Sequence, residues 1–147
     1  MSPVKQFDEF LRENIVHRQS PDKSRAAYLI AESQRTHRNL LDKIEKLEMK
    51  DDNANDFIKS CYDVLMELIR AKMLLDGYGA SGFGAHEAEV SYLRLLGFKE
   101  NDVQFADQMR FFRNGMLYYG KQFDKEYAQK VIEFTKKNLP KIGEMMQ

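Results

Sequence analysis

The sequence predicts an all-α chain, and two observations carry that prediction. Apolar residues recur at spacings of three and four along most of its length, the mark of helices that bury one face. No run of alternating β-branched residues bounded by turns occurs, so no sheet is expected. The 147 residues suit one domain. A chain of this length buries about 68–70% of its unfolded surface, enough to fold without a disulfide or a metal.

Ser2-Pro3 reads as a cap followed by proline at the first helical position. Phe7, Phe10, Leu11 and Ile15 follow at helical spacing, so a short first helix is expected within about residues 1–18. Ser20-Pro21 repeats the start signal. Ala26, Leu29, Ile30, Leu40, Ile44 and Leu47 then carry a helix to about Lys50, with a strongly polar middle over 32–39 that must face solvent or a partner. Asp51-Asp52-Asn53 is a break. The next helix runs on Phe57, Ile58, Cys61, Tyr62, Leu65, Leu68, Ile69 and Met73, one broad apolar stripe. Two long helices joined by a short polar turn make an antiparallel hairpin. A compact helix is expected over 85–96, with Val90, Leu93 and Leu96 inward and Gly97 closing it. Asn101 and Gln104 suggest a capping box for the following helix. Asp124 should cap a last helix through Tyr127, Val131, Phe134 and Leu139, and Pro140 should kink or break it.

Lysine plus arginine and aspartate plus glutamate number 23 each, for a net charge of +0. That balance argues against a protein that coats nucleic acid by charge alone. Over 110–141 the basic residues are Arg110, Arg113, Lys121, Lys125, Lys130, Lys136, Lys137 and Lys141, against the acids Asp124, Glu126 and Glu133. This excess reads first as a solvated lysine-rich face and second as a phosphate-facing one. Cys61 stands alone, which fits a reducing compartment. It lies on an apolar stripe and reads as core rather than nucleophile. The N-terminus has no apolar signal core, and no run approaches the ~20 apolar residues that span a bilayer. A cytoplasmic protein that does not enter membranes is expected.

Gly77-Tyr-Gly-Ala-Ser-Gly82 matches G-x-G-x-x-G. The dinucleotide fingerprint needs a preceding strand, and a long helix precedes here. The glycines read as relief for a turn. His86-Glu-Ala-Glu89 lacks a second histidine four residues on, where Val90 stands, so hydrogen bonding or capping is expected of His86 rather than zinc ligation. No metal site or cofactor is expected. His17 and His37 stand alone on polar faces. No carboxylate pair stands out for acid–base work.

The stretch that invites chemistry is Arg110-Phe-Phe-Arg-Asn-Gly-Met-Leu-Tyr-Tyr-Gly120. At about 100° per residue, Phe105, Met109, Phe112, Met116 and Tyr119 share one stripe and read as core. Arg110, Asn114, Tyr118 and Lys121 share a neighbouring polar stripe. Arg113 falls between the apolar stripe and Leu117, where an unpaired charge must reach water, a partner or a ligand.

Arg113-Asn-Gly-Met-Leu-Tyr118 resembles the R-x4-6-H signature of HEPN-domain proteins, in which a polar residue often follows the arginine. The segment from Leu75-Asp-Gly-Tyr-Gly to His86-Glu-Ala-Glu-Val is similar to the same family, and the likeness in helix order spans about residues 23–140. The resemblance implies a bundle of four main helices with short additional ones in up-and-down order, the bundle occupying 20–147 of a single domain. Many members are homodimers that bring two motifs together. Active members cut RNA without metal, their arginine and histidine driving attack of a ribose 2′-hydroxyl on the adjacent phosphate. Others lack the histidine and bind RNA, nucleotides or proteins. Some pair with a small nucleotidyltransferase in toxin–antitoxin operons, where a tyrosine two residues after the histidine is nucleotidylated.

Here the histidine position is Tyr118 and the modified tyrosine would fall at Gly120. Histidine, with a pKa of about 6.5, offers acid and base at neutral pH, whereas an ordinary tyrosine is about 0.1% ionised at pH 7. The resemblance therefore implies a non-catalytic binding module. Arg110, Arg113 and Lys121 would hold phosphate, Asn114 would orient the arginine or ligand, and Tyr118 and Tyr119 would stack on a base. Two alternatives stand beside it. One is a metal-independent ribonuclease using Arg113, Asn114 and Tyr118. The other is a structural or regulatory dimer in which the polar stripe pairs across the interface.

Overall fold

The computed structural model describes residues 3–146. The elements in order are α1 (Phe7–Arg12), β1 (Val16–Arg18), α2 (Lys23–Lys46), α3 (Ala54–Leu75), β2 (Tyr78–Ala80), α4 (Ala85–Ser91), α5 (Glu100–Tyr119) and α6 (Lys125–Gly143), with single 3-10 turns at Asp51–Asn53 and Tyr92–Arg94. The chain is all-α in class.

The centre is α3. The apolar stripe read from its sequence is buried along its whole length, with Phe57, Ile58 and Ile69 at 1% exposure or less. A helix apolar over so wide an arc can be covered only from several sides. Helices α2, α5 and α6 all pack against it. Specific bonds fix their directions. The Ser33 hydroxyl of α2 donates to the Val64 carbonyl of α3 at 2.9 Å, and Lys43 reaches both Asp56 and Ser60 at 2.8 Å. The Asp22 amide before α2 donates to the Leu74 carbonyl, so the two helices are antiparallel. On α5 and α6, Phe105 meets Phe134 with ring centroids 4.6 Å apart and Phe112 meets Tyr127 at 5.1 Å. Chain direction therefore reverses there too. Cys61 is buried, and burial pushes its thiol up to about 11, so it is core and inert.

Several starts and stops depart from the sequence reading. Ser2 lies outside the described residues, and α1 begins at Phe7 rather than after Pro3. Gln6 is the cap, its amide donating to the Glu9 side chain at 2.7 Å, and the segment before it is held by Arg94, whose guanidinium donates to the Val4 and Lys5 carbonyls at 2.8 and 2.7 Å. Those carbonyls are satisfied without a helix. Helix α2 begins at Lys23, because Asp22 rather than Ser20 caps it by accepting from the Arg25 amide, and it ends at Lys46. Helix α5 begins at Glu100, a residue too early for an Asn101–Gln104 capping box. Gln104 instead donates to Glu100 at 2.7 Å. The segment read as one helix over 85–96 tightens into a 3-10 turn after Ser91. Asp124 caps α6 as expected, accepting from the Tyr127 amide at 2.9 Å. Pro140 does not break α6, which runs on to Gly143. Pro140 removes only the donor to the Lys136 carbonyl, and both residues are exposed, so water can take the donor's place.

A small sheet contradicts the expectation of none. β1 and β2 pair antiparallel, Val16 opposite Ala80 and Arg18 opposite Tyr78. Three residues per strand are too few to alternate legibly, and Gly79 within β2 carries no β signal. The first two glycines of the G-x-G match serve this ribbon. Gly77 has φ +88°, and a Cβ there would stand 2.9 Å from the Gln19 carbonyl oxygen. A Cβ on Gly79 would stand 2.6 Å from the Gln19 side-chain oxygen. Gly77→Ala combines left-handed backbone strain with a backbone clash. It is expected to cost about 2 kcal/mol, lowering Tm by roughly 4–8 °C for a chain of this size; thermal unfolding followed by circular dichroism checks it.

Candidate ligand-binding site on α5

Helix α5 presents two depressions side by side. A cleft of about 250 Å³ opens between α3 and α5, lined by Tyr62, Asp63, Glu67 and Arg70 on one side and Arg113, Asn114, Leu117 and Tyr118 on the other, with His86 of α4 at its edge. A wider, largely apolar groove of about 760 Å³ lies beside it, lined by Arg110, Phe111, Phe112, Tyr119, Lys121 and Phe123. Asn114 and Tyr118 border both. Phe83, from the loop before α4, is fully exposed at the groove's rim.

Arg113 is held but not satisfied. Its Nε lies 3.7 Å from an Asp63 oxygen, an ion pair too long for a hydrogen bond. Its guanidinium carbon sits 5.5 Å from the centroid of the Tyr62 ring, a cation–π distance. The Nε atom is buried and has no hydrogen-bond partner among the described residues. Glu67 Oε2, in the same cleft, is also buried and unpartnered. Burial pushes the Glu67 carboxyl up to about 7, with the charges of Asp63 and Glu32 acting in the same direction and those of Arg70 and Arg35 against it. Burial also raises Asp63, opposed by Arg113, Arg70 and Lys59.

Arg70, which lines the cleft, is itself paired. Arg70 grips the nearly buried Glu89 with both arms of its guanidinium, Nε to Oε2 at 2.5 Å and Nη2 to Oε1 at 3.0 Å. Burial would raise the Glu89 carboxyl, but hydrogen bonds from His86 and Arg70 outweigh it and hold the group below the usual carboxylate range. His86 Nδ1 lies 2.9 Å from Glu89 Oε1, so this histidine has the hydrogen-bonding role expected of it.

Arg113, Asn114 and Tyr118 line the cleft, while Arg110 and Lys121 line the groove with Asn114 and Tyr118. Arg110 is tied to the buried Asp107, its Nε donating at 2.6 Å. Tyr119, read as core, is 78% exposed. The loop after α5 folds back and Phe123 stacks on Phe112 at 4.5 Å, covering the stripe that Tyr119 would have continued. Asp63, Glu67 and Arg70 were not singled out from sequence. Their signal is a polar stripe at i, i+4 and i+7 along an otherwise apolar helix.

Comparison with family models, curated proteins and solved structures finds no match. No helix among the described residues is long and apolar enough to cross a membrane. No group of three or more His, Cys, Asp or Glu side chains among the described residues is placed to hold a metal ion.

The Glu67 carboxyl gives a pH prediction. Its folded value of about 7 lies above its ordinary value of 4.5, so the folded state binds the proton more tightly. That contribution is fully present below about 4.5 and is lost as pH rises through 7. Glu67→Gln keeps the shape and removes the charge. After discounting for solvent screening of a partly exposed group, it is expected to stabilise the fold by roughly 1 kcal/mol at pH 8 and to change it little at pH 4. Urea unfolding at the two pH values checks this.

Proposed function

We propose that this chain is a HEPN-like, non-catalytic binding module that holds single-stranded RNA or a nucleotide on the α5 face. One observation carries the reading: the Arg113 cleft and the aromatic groove are contiguous, sharing Asn114 and Tyr118. Single-strand recognition combines cations that track phosphate with rings on which bases stack. Arg113, Arg110 and Lys121 supply the first, and the exposed rings of Tyr118, Tyr119 and Phe111 supply the second. Asn114, on the shared border, can orient either component. Tyr118 stands in solvent at 73% exposure, suited to stacking.

The test is fluorescence anisotropy with a labelled ten-nucleotide RNA of mixed sequence, with strand integrity followed on a gel in the presence of a chelator. Wild type should bind and leave the RNA intact. Tyr118→Ala should weaken binding by about 5- to 100-fold, the equivalent of one lost stack of ~1–3 kcal/mol. Cleavage by wild type that stops in Tyr118→Phe would replace this reading with the ribonuclease that uses Arg113, Asn114 and Tyr118.

A second reading is favoured by the same groove. Phe83, Phe111, Tyr118 and Tyr119 line it and are each more than half exposed, and contiguous apolar surface of this kind marks protein interfaces. In that reading the face forms a homodimer or receives a nucleotidyltransferase partner. Sedimentation of wild type and Phe111→Glu separates the two. A dimer lost in the variant, with no RNA bound by either, supports the interface alone. Cytoplasmic residence and a toxin–antitoxin or defence role belong to the same proposal, and a small nucleotidyltransferase encoded next door would support it.

A further inference from the structure

The α3–α5 cleft is lined by a carboxylate, Glu67, on its α3 side and by a guanidinium, Arg113, on its α5 side, groups of opposite hydrogen-bonding sense. Neither is fully paired within the fold, so a ligand in the cleft meets an acceptor and a donor together. Arg113 sits against Asp63, and Glu67 lies one turn further along α3. A ligand that fills the cleft must therefore present a donor to one side and an acceptor to the other. The cleft volume of about 250 Å³ lies just below the range of drug-sized pockets and suits a single planar ring system.

Nucleobases have this form. A carboxylate is matched best by two adjacent N–H donors, because a ring lone pair beside a single donor repels its second oxygen. Guanine alone offers such a pair on its ring edge, N1–H beside the 2-amino group. It carries the O6 and N7 acceptors that arginine most often reads on its other flank. Adenine offers one amino group between two ring acceptors. Uracil offers one N–H between two carbonyls. Cytosine offers one amino group beside a ring acceptor.

We propose that the α3–α5 cleft is a guanine-binding site, in which Glu67 accepts from N1–H and the 2-amino group and Arg113 donates to O6 or N7. This rests on the nucleotide-binding reading of α5 and names its base. Tyr118 at the mouth supplies a ring face for the base to stack on. Leu117 beside it adds apolar contact. A carboxylate that accepts two donors binds in its ionised form, so guanosine should bind more tightly at pH 8 than at pH 6. The charged and titratable groups facing Glu67 are Tyr62, Asp63 and Arg70 of α3, Glu32 and Arg35 of α2, His86 of α4, and Arg113 and Tyr118 of α5.

Titration calorimetry of the full chain at pH 8 with the monophosphates of guanosine, inosine, adenosine, cytidine and uridine, and with inorganic phosphate, tests the assignment. The guanosine nucleotide should bind at least tenfold more tightly than the adenosine, cytidine and uridine nucleotides. It should bind at least fivefold more tightly than the inosine nucleotide, which lacks only the 2-amino group. Glu67→Gln, expected to leave the fold at least as stable, should remove that preference. Five nucleotides binding within threefold of one another, or phosphate alone matching them, would overturn the guanine assignment and leave the nucleotide reading standing. RNA binding with no mononucleotide binding would also overturn the assignment alone. Binding of neither RNA nor any nucleotide would remove both.

Discussion

Replacing Arg70 with alanine is expected to cost about 3–5 kcal/mol of stability, because it strands a buried carboxylate. Glu89 is 3% exposed, and the two-armed contact from Arg70 is its main charged partner. His86 remains beside it, but its ring is largely exposed and makes a single contact. At about 2–4 °C per kcal/mol for a chain of this size, the Tm should fall on the order of 10 °C. Replacing both members, Arg70→Met with Glu89→Leu, should recover most of the loss, since an apolar pair of similar volume needs no desolvation. The pH dependence has the sign of a depressed acid. The contribution of Glu89 is present above its unfolded value and disappears as pH falls through its folded one. Thermal scans of the three proteins between pH 3 and 7 check both parts. A single variant as stable as wild type would mean that Glu89 is not isolated in the way described.

Replacing Arg113 with alanine is expected to act in the opposite way, weakly on stability and strongly on binding. Its Nε makes no hydrogen bond and its nearest carboxylate is 3.7 Å away, so truncation removes one unsatisfied donor and a loose ion pair. The fold should change by less than about 1 kcal/mol. Hydrogen bonds to charged groups are worth about 1.5–3 kcal/mol, so RNA affinity should fall roughly 10- to 100-fold. Arg113→Lys keeps the charge but loses the planar fork and the Nε donor. It should restore the salt-dependent part of binding and little of the rest. Anisotropy at two salt concentrations separates these terms, and equal affinity for all three proteins would move the ligand away from this cleft.

The two residues also show what sequence alone reveals. Arg113 was legible because a charge at the edge of an apolar stripe is a local conflict, visible within one helical turn. Glu67 and Glu89 were not legible as site residues. Their states depend on Glu32, Arg70 and His86, which arrive from α2, further along α3, and α4. The burial of α3 could be read directly, since a wide apolar arc has few alternatives. The β1–β2 ribbon could not, because its pairing joins residues sixty or more apart through segments with no strand signal of their own. Tyr119 was misplaced for a related reason. Periodicity assigns a face, but Phe123 arrived from beyond the helix to occupy it.

The loop after α5 is anchored at the far end of the molecule's central helix. The Asn55 amide donates to the Lys121 carbonyl and accepts from the Phe123 amide, both at 2.9 Å. Asp51 accepts from the Lys125 amide through its side chain and from the Gln122 side chain through its carbonyl. A short exposed connection of this kind would ordinarily tolerate a tag or a chain break. Here it works as a clasp, and lengthening it would unfasten the end of α5 that carries Tyr118 and Tyr119. Permuted or tagged forms of the protein should leave 120–124 untouched.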